Sequence, residues 1–217
     1  MRPTARPPGN HLLILVLGGI SSGKSGFALR LAHAQGGRVL VIATGRASDP
    51  EMEARIAAHR RQRPAEWSLA EEALRPEQAA RAHPEVEVVV IDSIDAWVAN
   101  RMEAAGVEGP GERLDELEEA CLRAIEEVLA LVPKVICVSS EVGLGTVPLH
   151  PLGRAFADLL GRLNQDLAAR STERYLVVAG APLPLPPPAR RRRVESQDRD
   201  SGGDHVHREE RDRGDGL

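Results

Sequence analysis

Five short apolar runs rich in β-branched residues punctuate the chain: Leu12 to Leu17, Arg38 to Ala43, Val86 to Ile91, Lys134 to Val138 and Arg174 to Val178. Runs of this kind predict buried parallel strands. Between them lie segments with helical character, Lys24 to Ala34, Pro50 to Arg63, a long Glu112 to Leu131 with charge along one face, and Pro151 to Ala169. Asp49 followed by Pro50 is a helix start, an N-cap acceptor before a first-turn proline. Strand and helix in alternation predict an α/β protein built on a doubly wound, mostly parallel sheet with helices on both faces. Residues 101–111, with Gly106, Gly109, Pro110 and Gly111, read as an exposed loop. No internal repeat is visible.

The pattern ends near Gly180. Five prolines fall within residues 182–188, and a mixed run of Arg, Asp, Glu, His and Gly follows. Such a segment is expected to be disordered by composition. The expected organisation is a flexible N-terminus (1–11), one catalytic domain (12–181) and a Pro/Arg-rich tail (182–217). Arg190 to Arg193 form the tail's one basic cluster, because acidic residues balance its other arginines.

Composition narrows the class. The longest apolar run is far too short to span a bilayer, and the N-terminus leads into glycine and lysine, not a small-residue cleavage site. A cytoplasmic protein is expected. Cys121 and Cys137 fall in a predicted helix and a predicted strand, which favours buried thiols over a disulfide or a metal site. A net charge of -4 argues against a general nucleic-acid binder. Of the 28 basic residues only Lys24 and Lys134 are lysine. A phosphate cradle needs a compact ammonium on a flexible stem, which a planar guanidinium does not imitate well.

Lys24 stands in the stretch HLLILVLGGISSGKSGFALRLA, where Gly18, four residues, Gly23, Lys24 and Ser25 match G-x-x-x-x-G-K-[ST]. The match follows a predicted strand and opens a predicted helix, the context such a motif requires. The glycines let backbone N–H groups converge on phosphate oxygens, and the helix N-terminus adds positive potential. Lys24 reaches the outer phosphates and Ser25 is placed to ligate Mg²⁺. The fold expected is therefore a P-loop NTPase of RecA-like type. A partner carboxylate should end a neighbouring buried strand, and VEVVVIDSIDAWVAN supplies Asp92, with a strand or helix cap as its alternative role. Asp95 faces the same way if a helix starts at Ser93. In the segment after the second strand, Glu51, Arg55, His59 and Arg63 recur at intervals of four. A histidine in that company is, in isolation, most often a solvated surface group.

Several stretches together resemble the bifunctional adenosylcobinamide kinase and adenosylcobinamide-phosphate guanylyltransferase family of cobalamin biosynthesis. They are LGGISSGKS, VIATGRASDPEMEARIAAHRRQRPAEW, VIDSIDAWVAN, SSEVGLGTVP and LGRAFADLLGRLNQDLA, within about residues 12–185. The resemblance implies that His59 is the nucleophile guanylylated by GTP, with Lys24 as the second catalytic residue. It implies nucleotide contacts by Gly18, Gly19, Ile20, Ser21, Ser22, Gly23, Lys24 and Ser25, and by Ala43, Thr44 and Gly45. Arg60, Arg61, Gln62, Arg63, Glu71 and Asp92 complete the set. Glu72 adjoins Glu71, and either carboxylate suits a guanine edge. Mg²⁺ on Ser25 and Asp92, GTP and ATP as substrates, an adenosylcobinamide acceptor and a homo-oligomer, a trimer in the family, are implied as well. Residues 141–148, with Arg154 and Asn164, are expected near the corrinoid or a subunit interface. Where the family commonly has Cys, an apolar residue and Thr, this chain has Ser93, Ile94 and Asp95; Ser93 and Asp95 depart, so the kinase half of the activity is the part that this chain puts in question.

Two other functions fit parts of the sequence. One is a P-loop small-molecule kinase without guanylyl transfer, which leaves His59 without a role. The other is a non-catalytic RecA-like ATPase, for which the Arg190 cluster speaks and the shortage of aromatic residues for base stacking does not.

Overall fold

The computed structural model describes residues 11–46, 64–111 and 113–188. Among these, seven strands form one sheet: β1 (Leu12–Gly18), β2 (Val39–Ala43), β3 (Ser68–Glu71), β4 (Val88–Asp92), β5 (Lys134–Ser140), β6 (Glu173–Val178) and β7 (Ala181–Pro184). Their order is β3-β2-β4-β5-β1-β6-β7. All neighbours pair in parallel except β6 and β7. The helices are α1 (Lys24–Gln35), α2 (Pro76–Arg81), α3 (Ile94–Ala104), α4 (Arg113–Leu131) and α5 (Pro151–Arg170). This is the mostly parallel α/β sheet with helices on both faces that the strand and helix alternation predicts. β5 lies between β1, which carries the glycine motif, and β4, which ends in Asp92.

The period-two alternation of strand side chains divides the core in two. Leu13, Leu15, Leu17, Val89, Ile91, Val135 and Cys137 face the layer of α3, α4 and α5, where Trp97, Ile125, Leu159 and Leu163 are buried against them. Ile14, Val16, Val88, Val90, Ile136 and Val138 face α1, through Ala28, Leu29 and Ala32. Both cysteines are free and buried. Burial pushes the Cys121 thiol up to about 11 and the Cys137 thiol to about 12, since a thiolate has no solvent there. Lys134 donates to the carbonyl of Gln35 at 2.8 Å, so this lysine satisfies the C-terminus of α1.

The structure corrects the expected boundaries at two places. Residues 101–111 are not all loop, because α3 continues through Ala104. Ile94, Trp97, Val98 and Met102 lie at helical spacing and are buried, and that face outweighs the glycines that follow. The helix then closes at Gly106 (φ 64): Gly106 N–H donates to Glu103 and Val107 N–H to Met102, the paired bonds of a glycine C-terminal cap. The domain boundary expected at 181 also falls too early, since β7 takes the sheet through Pro184. Pro182 and Pro184 fit there because β7 is an edge strand, where a missing N–H costs no ladder bond. The expected helix Pro50 to Arg63 lies outside the described residues. β3 and α2, absent from the expectation, are short, and β3 is only half-buried.

Candidate nucleotide-binding site

The C-terminal ends of the parallel strands share one edge, where ligands of open α/β sheets sit. Register aligns Ala43 with both Glu71 and Asp92, Asp92 with Val138, and Gly18 with Ser140. The predicted groups at Gly18 to Ser25, Ala43 to Gly45, Glu71 and Asp92 therefore come to one edge of the sheet from four separate stretches of chain. His59, Arg60, Arg61, Gln62 and Arg63 lie outside the described residues.

The glycine loop is shaped by close approach. A Cβ on Gly18 would stand 2.5 Å from Ser22 Oγ and 2.7 Å from the Val177 carbonyl, so any side chain here displaces the loop. Gly23, at φ 92, is the N-cap of α1 and supplies a left-handed turn. No side chain caps α1 and its first turn holds no acid. Its first N–H groups thus face outward together with the positive end of the helix dipole, which suits a phosphate. Lys24 Nζ donates back across the loop to the Gly19 carbonyl at 3.2 Å.

Three contacts hold this loop from outside. Glu141 N–H donates to the Gly18 carbonyl at 3.2 Å, Gly180 N–H to the Ser22 carbonyl at 2.9 Å, and Ser25 Oγ to Asp92 Oδ1 at 3.1 Å. The Gly180 contact comes from the β6–β7 turn, with Ala179 at φ 50 and Gly180 at φ 81. Sequence reasoning gave that turn no part in the site. The Ala-Gly step between an apolar run and the prolines is the signal that marks it.

Asp92 ends β4, and its carboxylate accepts from Ser25 Oγ. Two hard oxygens at hydrogen-bond distance beside a phosphate cradle are a donor set that suits Mg²⁺. Glu71 is exposed at the end of β3. Glu72 Oε1 accepts from the N–H groups of Leu74 and Arg75 at 2.8 and 3.0 Å, which commits that oxygen to holding the turn before α2.

A family model described as cobinamide kinase / cobinamide phosphate guanyltransferase matches residues 14–185, from inside β1 to just past β7. The chain belongs to that family. It is 41% identical over 170 residues to the bifunctional adenosylcobalamin biosynthesis protein CobP of Pseudomonas aeruginosa, covering 78% of this chain and 94% of the relative. It is 38% identical over 177 residues to CobU of Escherichia coli, named as a bifunctional adenosylcobalamin biosynthesis protein, covering 78% and 97%. A crystal structure of the RadB recombinase superposes with a TM-score of 0.41 at 16% identity, over 76% of this chain and 73% of that one.

The family assignment gives the remaining residues of the edge a setting. Ser93 is the N-cap of α3 and the helix proper begins at Ile94. Asp95, in its first turn, accepts from Ser140 Oγ at 2.9 Å through Oδ2, while its buried Oδ1 has no hydrogen-bond partner among the described residues. Asn164 is 4% exposed. It accepts from Ser139 Oγ at 2.7 Å and donates to the Ser140 carbonyl at 3.0 Å, bracing the end of β5 from beneath. Its amide is thus spent inside the core, at the C-terminal end of β5. Arg154 donates to the carbonyls of Pro148 and Leu149 at 3.1 and 2.6 Å and so shapes the loop before α5.

Proposed function

We propose that this chain phosphorylates adenosylcobinamide with a nucleoside triphosphate and then transfers GMP from GTP to the product, giving adenosylcobinamide-GDP through a guanylyl-histidine at His59. The observation that carries the proposal is the family match across residues 14–185 together with an intact glycine loop whose Ser25 meets Asp92.

In the first reaction the acceptor hydroxyl attacks the γ-phosphorus, the P–O bond to the β-phosphate breaks and the hydroxyl proton leaves to base or solvent. Phosphoryl transfer asks the protein chiefly for position and charge neutralisation. The uncapped start of α1, the loop N–H groups and Lys24 supply both. Ser25 Oγ and the Asp92 carboxylate would hold Mg²⁺, which neutralises phosphate charge when bound. In the second reaction the unprotonated imidazole of His59 attacks the α-phosphorus of GTP, pyrophosphate departs and a phosphoramidate forms. The phosphate of the acceptor then displaces the histidine. Arg60, Arg61 and Arg63 would disfavour imidazolium and neutralise the triphosphate. Glu71, exposed beside this edge, is assigned the guanine, since Glu72 holds its own turn.

The proposal extends to a homotrimeric, cytoplasmic enzyme that binds no nucleic acid. Ile20, Leu144, Val147 and Leu149 are 77–92% exposed on one edge and would be covered by substrate or by a second subunit. The net charge of -4 gives no electrostatic footprint for nucleic acid. No helix among the described residues is long and apolar enough to cross a membrane.

GTP labelled at the α-phosphate, incubated with the protein and magnesium, should leave an acid-labile, alkali-stable adduct that His59→Ala abolishes. Folded, GTP-binding wild type that takes no label would refute the histidine route. Adenosylcobinamide phosphorylation in the His59→Ala variant tests the kinase half separately.

A further inference from the structure

The corner that follows Asp92 is held by one hydroxyl. Thr44, at the end of β2, is 0% exposed. Its Oγ1 accepts from the Ser93 N–H at 2.8 Å and donates to the Ser93 carbonyl at 2.6 Å. Its own N–H donates to the Asp92 carbonyl at 3.1 Å, and its carbonyl accepts from Asn100 Nδ2 at 2.8 Å. The hydroxyl's donor and one of its two acceptor sites are spent on the residue next to Asp92, and both backbone groups are paired. The hydroxyl thus serves the backbone beside Asp92, within the Ala43 to Gly45 stretch that was expected to touch the nucleotide.

We infer that Thr44 is a positioning residue for phosphoryl transfer, acting through Asp92: its hydroxyl fixes the Asp92–Ser93 corner so that the carboxylate meets Ser25 beside the phosphate cradle. The inference rests on the proposed role of Asp92. β2 and β4 are paired along their length, and the ladder alone would leave the residue after Asp92 without partners for its N–H. The hydroxyl supplies a partner there and at the carbonyl, which also accepts from Trp97 N–H at 3.1 Å. Loss of one such restraint lets a carboxylate drift, and a displacement of about 1 Å in a reacting assembly costs on the order of 10²-fold in rate.

The test compares Thr44→Val, nearly the same shape without the hydroxyl, with Thr44→Ser, which keeps it. With ATP and adenosylcobinamide, Thr44→Val should lower kcat by roughly 10- to 100-fold, while KM for ATP stays within about threefold. Thr44→Ser should restore kcat to within about threefold of wild type. A folded Thr44→Val with wild-type kcat overturns the inference. So does a rise in KM with kcat intact, which would place the hydroxyl on the nucleotide, or a serine variant as impaired as valine, which would make the methyl group responsible. If the valine variant does not fold, Thr44→Ala decides: full kcat overturns the inference and a reduced kcat with unchanged KM supports it. Asp92→Asn separates the two levels. If it phosphorylates normally, both the role of Asp92 and this inference fall; if it is inactive while Thr44→Val is not, only the inference does.

Discussion

The C-terminal edge of the sheet and the outer faces of α4 and α5 both carry many polar side chains, and they use them in opposite ways. At the edge, side chains fix one another or the backbone next to them: Ser25 on Asp92, Thr44 on Ser93, Ser140 on Asp95. Among the described residues, Ser22 Oγ and Asp95 Oδ1 find no hydrogen-bond partner there. On the helices, Arg162 draws in Asp115, Glu118 and Asp158, and Arg123 pairs with Glu119 one turn away. These charges flank apolar faces that bury Leu117, Ile125, Val128, Leu159 and Leu163, which do the stabilising. Exposed pairs of this type contribute about 0–1 kcal/mol each. The edge places polar groups for chemistry, and the helices place them to keep a surface wet.

Lys24→Met is the largest break to attempt. It should lower phosphorylation by roughly 10²- to 10³-fold, the scale of losing one preorganised charged donor. Stability should stay within about 0.5 kcal/mol, because the ammonium's contact within the protein is to a carbonyl of its own exposed loop. Kinetics alongside a denaturation curve check both halves. A large loss of stability would mean that the edge is structural after all. Gly18→Ala sharpens the contrast from the other side. The added methyl meets Ser22 Oγ and the Val177 carbonyl, so it should cost about 1–3 kcal/mol of stability and also weaken GTP binding. Isothermal titration of the folded variant reads the second effect. Unchanged GTP affinity would show that the loop can relax without moving its phosphate-facing N–H groups.

How legible each region was follows from its kind of order. β1, β2, β4, β5 and β6 announce themselves as apolar runs because both of their faces are covered, and the glycine loop does so because backbone approach admits few residue types. β3 is short and half-buried, so its pattern is too weak to register. In α3 the apolar face was present in the sequence, yet Asn100 and Arg101 and the glycines beyond obscured it. The lysine count drew attention to Lys24, but the hydroxyl of Thr44 and the turn at Gly180 act through tertiary contacts with Ser93 and Ser22, far off in the sequence. No local pattern encodes those contacts. Asn164, a polar residue on an amphipathic helix, faces inward because the end of β5 offers a hydroxyl and a carbonyl to pair with it.

The smallest expected effect lies wholly on the helical side. Burial pushes the Glu118 carboxyl above its ordinary 4.5, and the neighbouring Asp166 and Asp115 raise it further, against the opposing pull of the Arg162 guanidinium. A carboxyl whose folded pKa is raised binds its proton more tightly in the native state. It therefore contributes stability that is fully present below about 4.5 and is lost as the pH rises through the folded pKa. Glu118→Gln cannot titrate, so urea midpoints taken from about pH 4 to about pH 7 should show wild type losing ground to the variant as the pH rises. The difference should stay below about 1 kcal/mol, since the charge is partly solvated and paired. Asp166→Asn removes one of the like charges that raise the folded pKa, so the loss should be smaller and should be complete at lower pH. Parallel curves for wild type and Glu118→Gln would contradict the raised pKa. A change in kcat in either variant would blur the boundary drawn between the two regions.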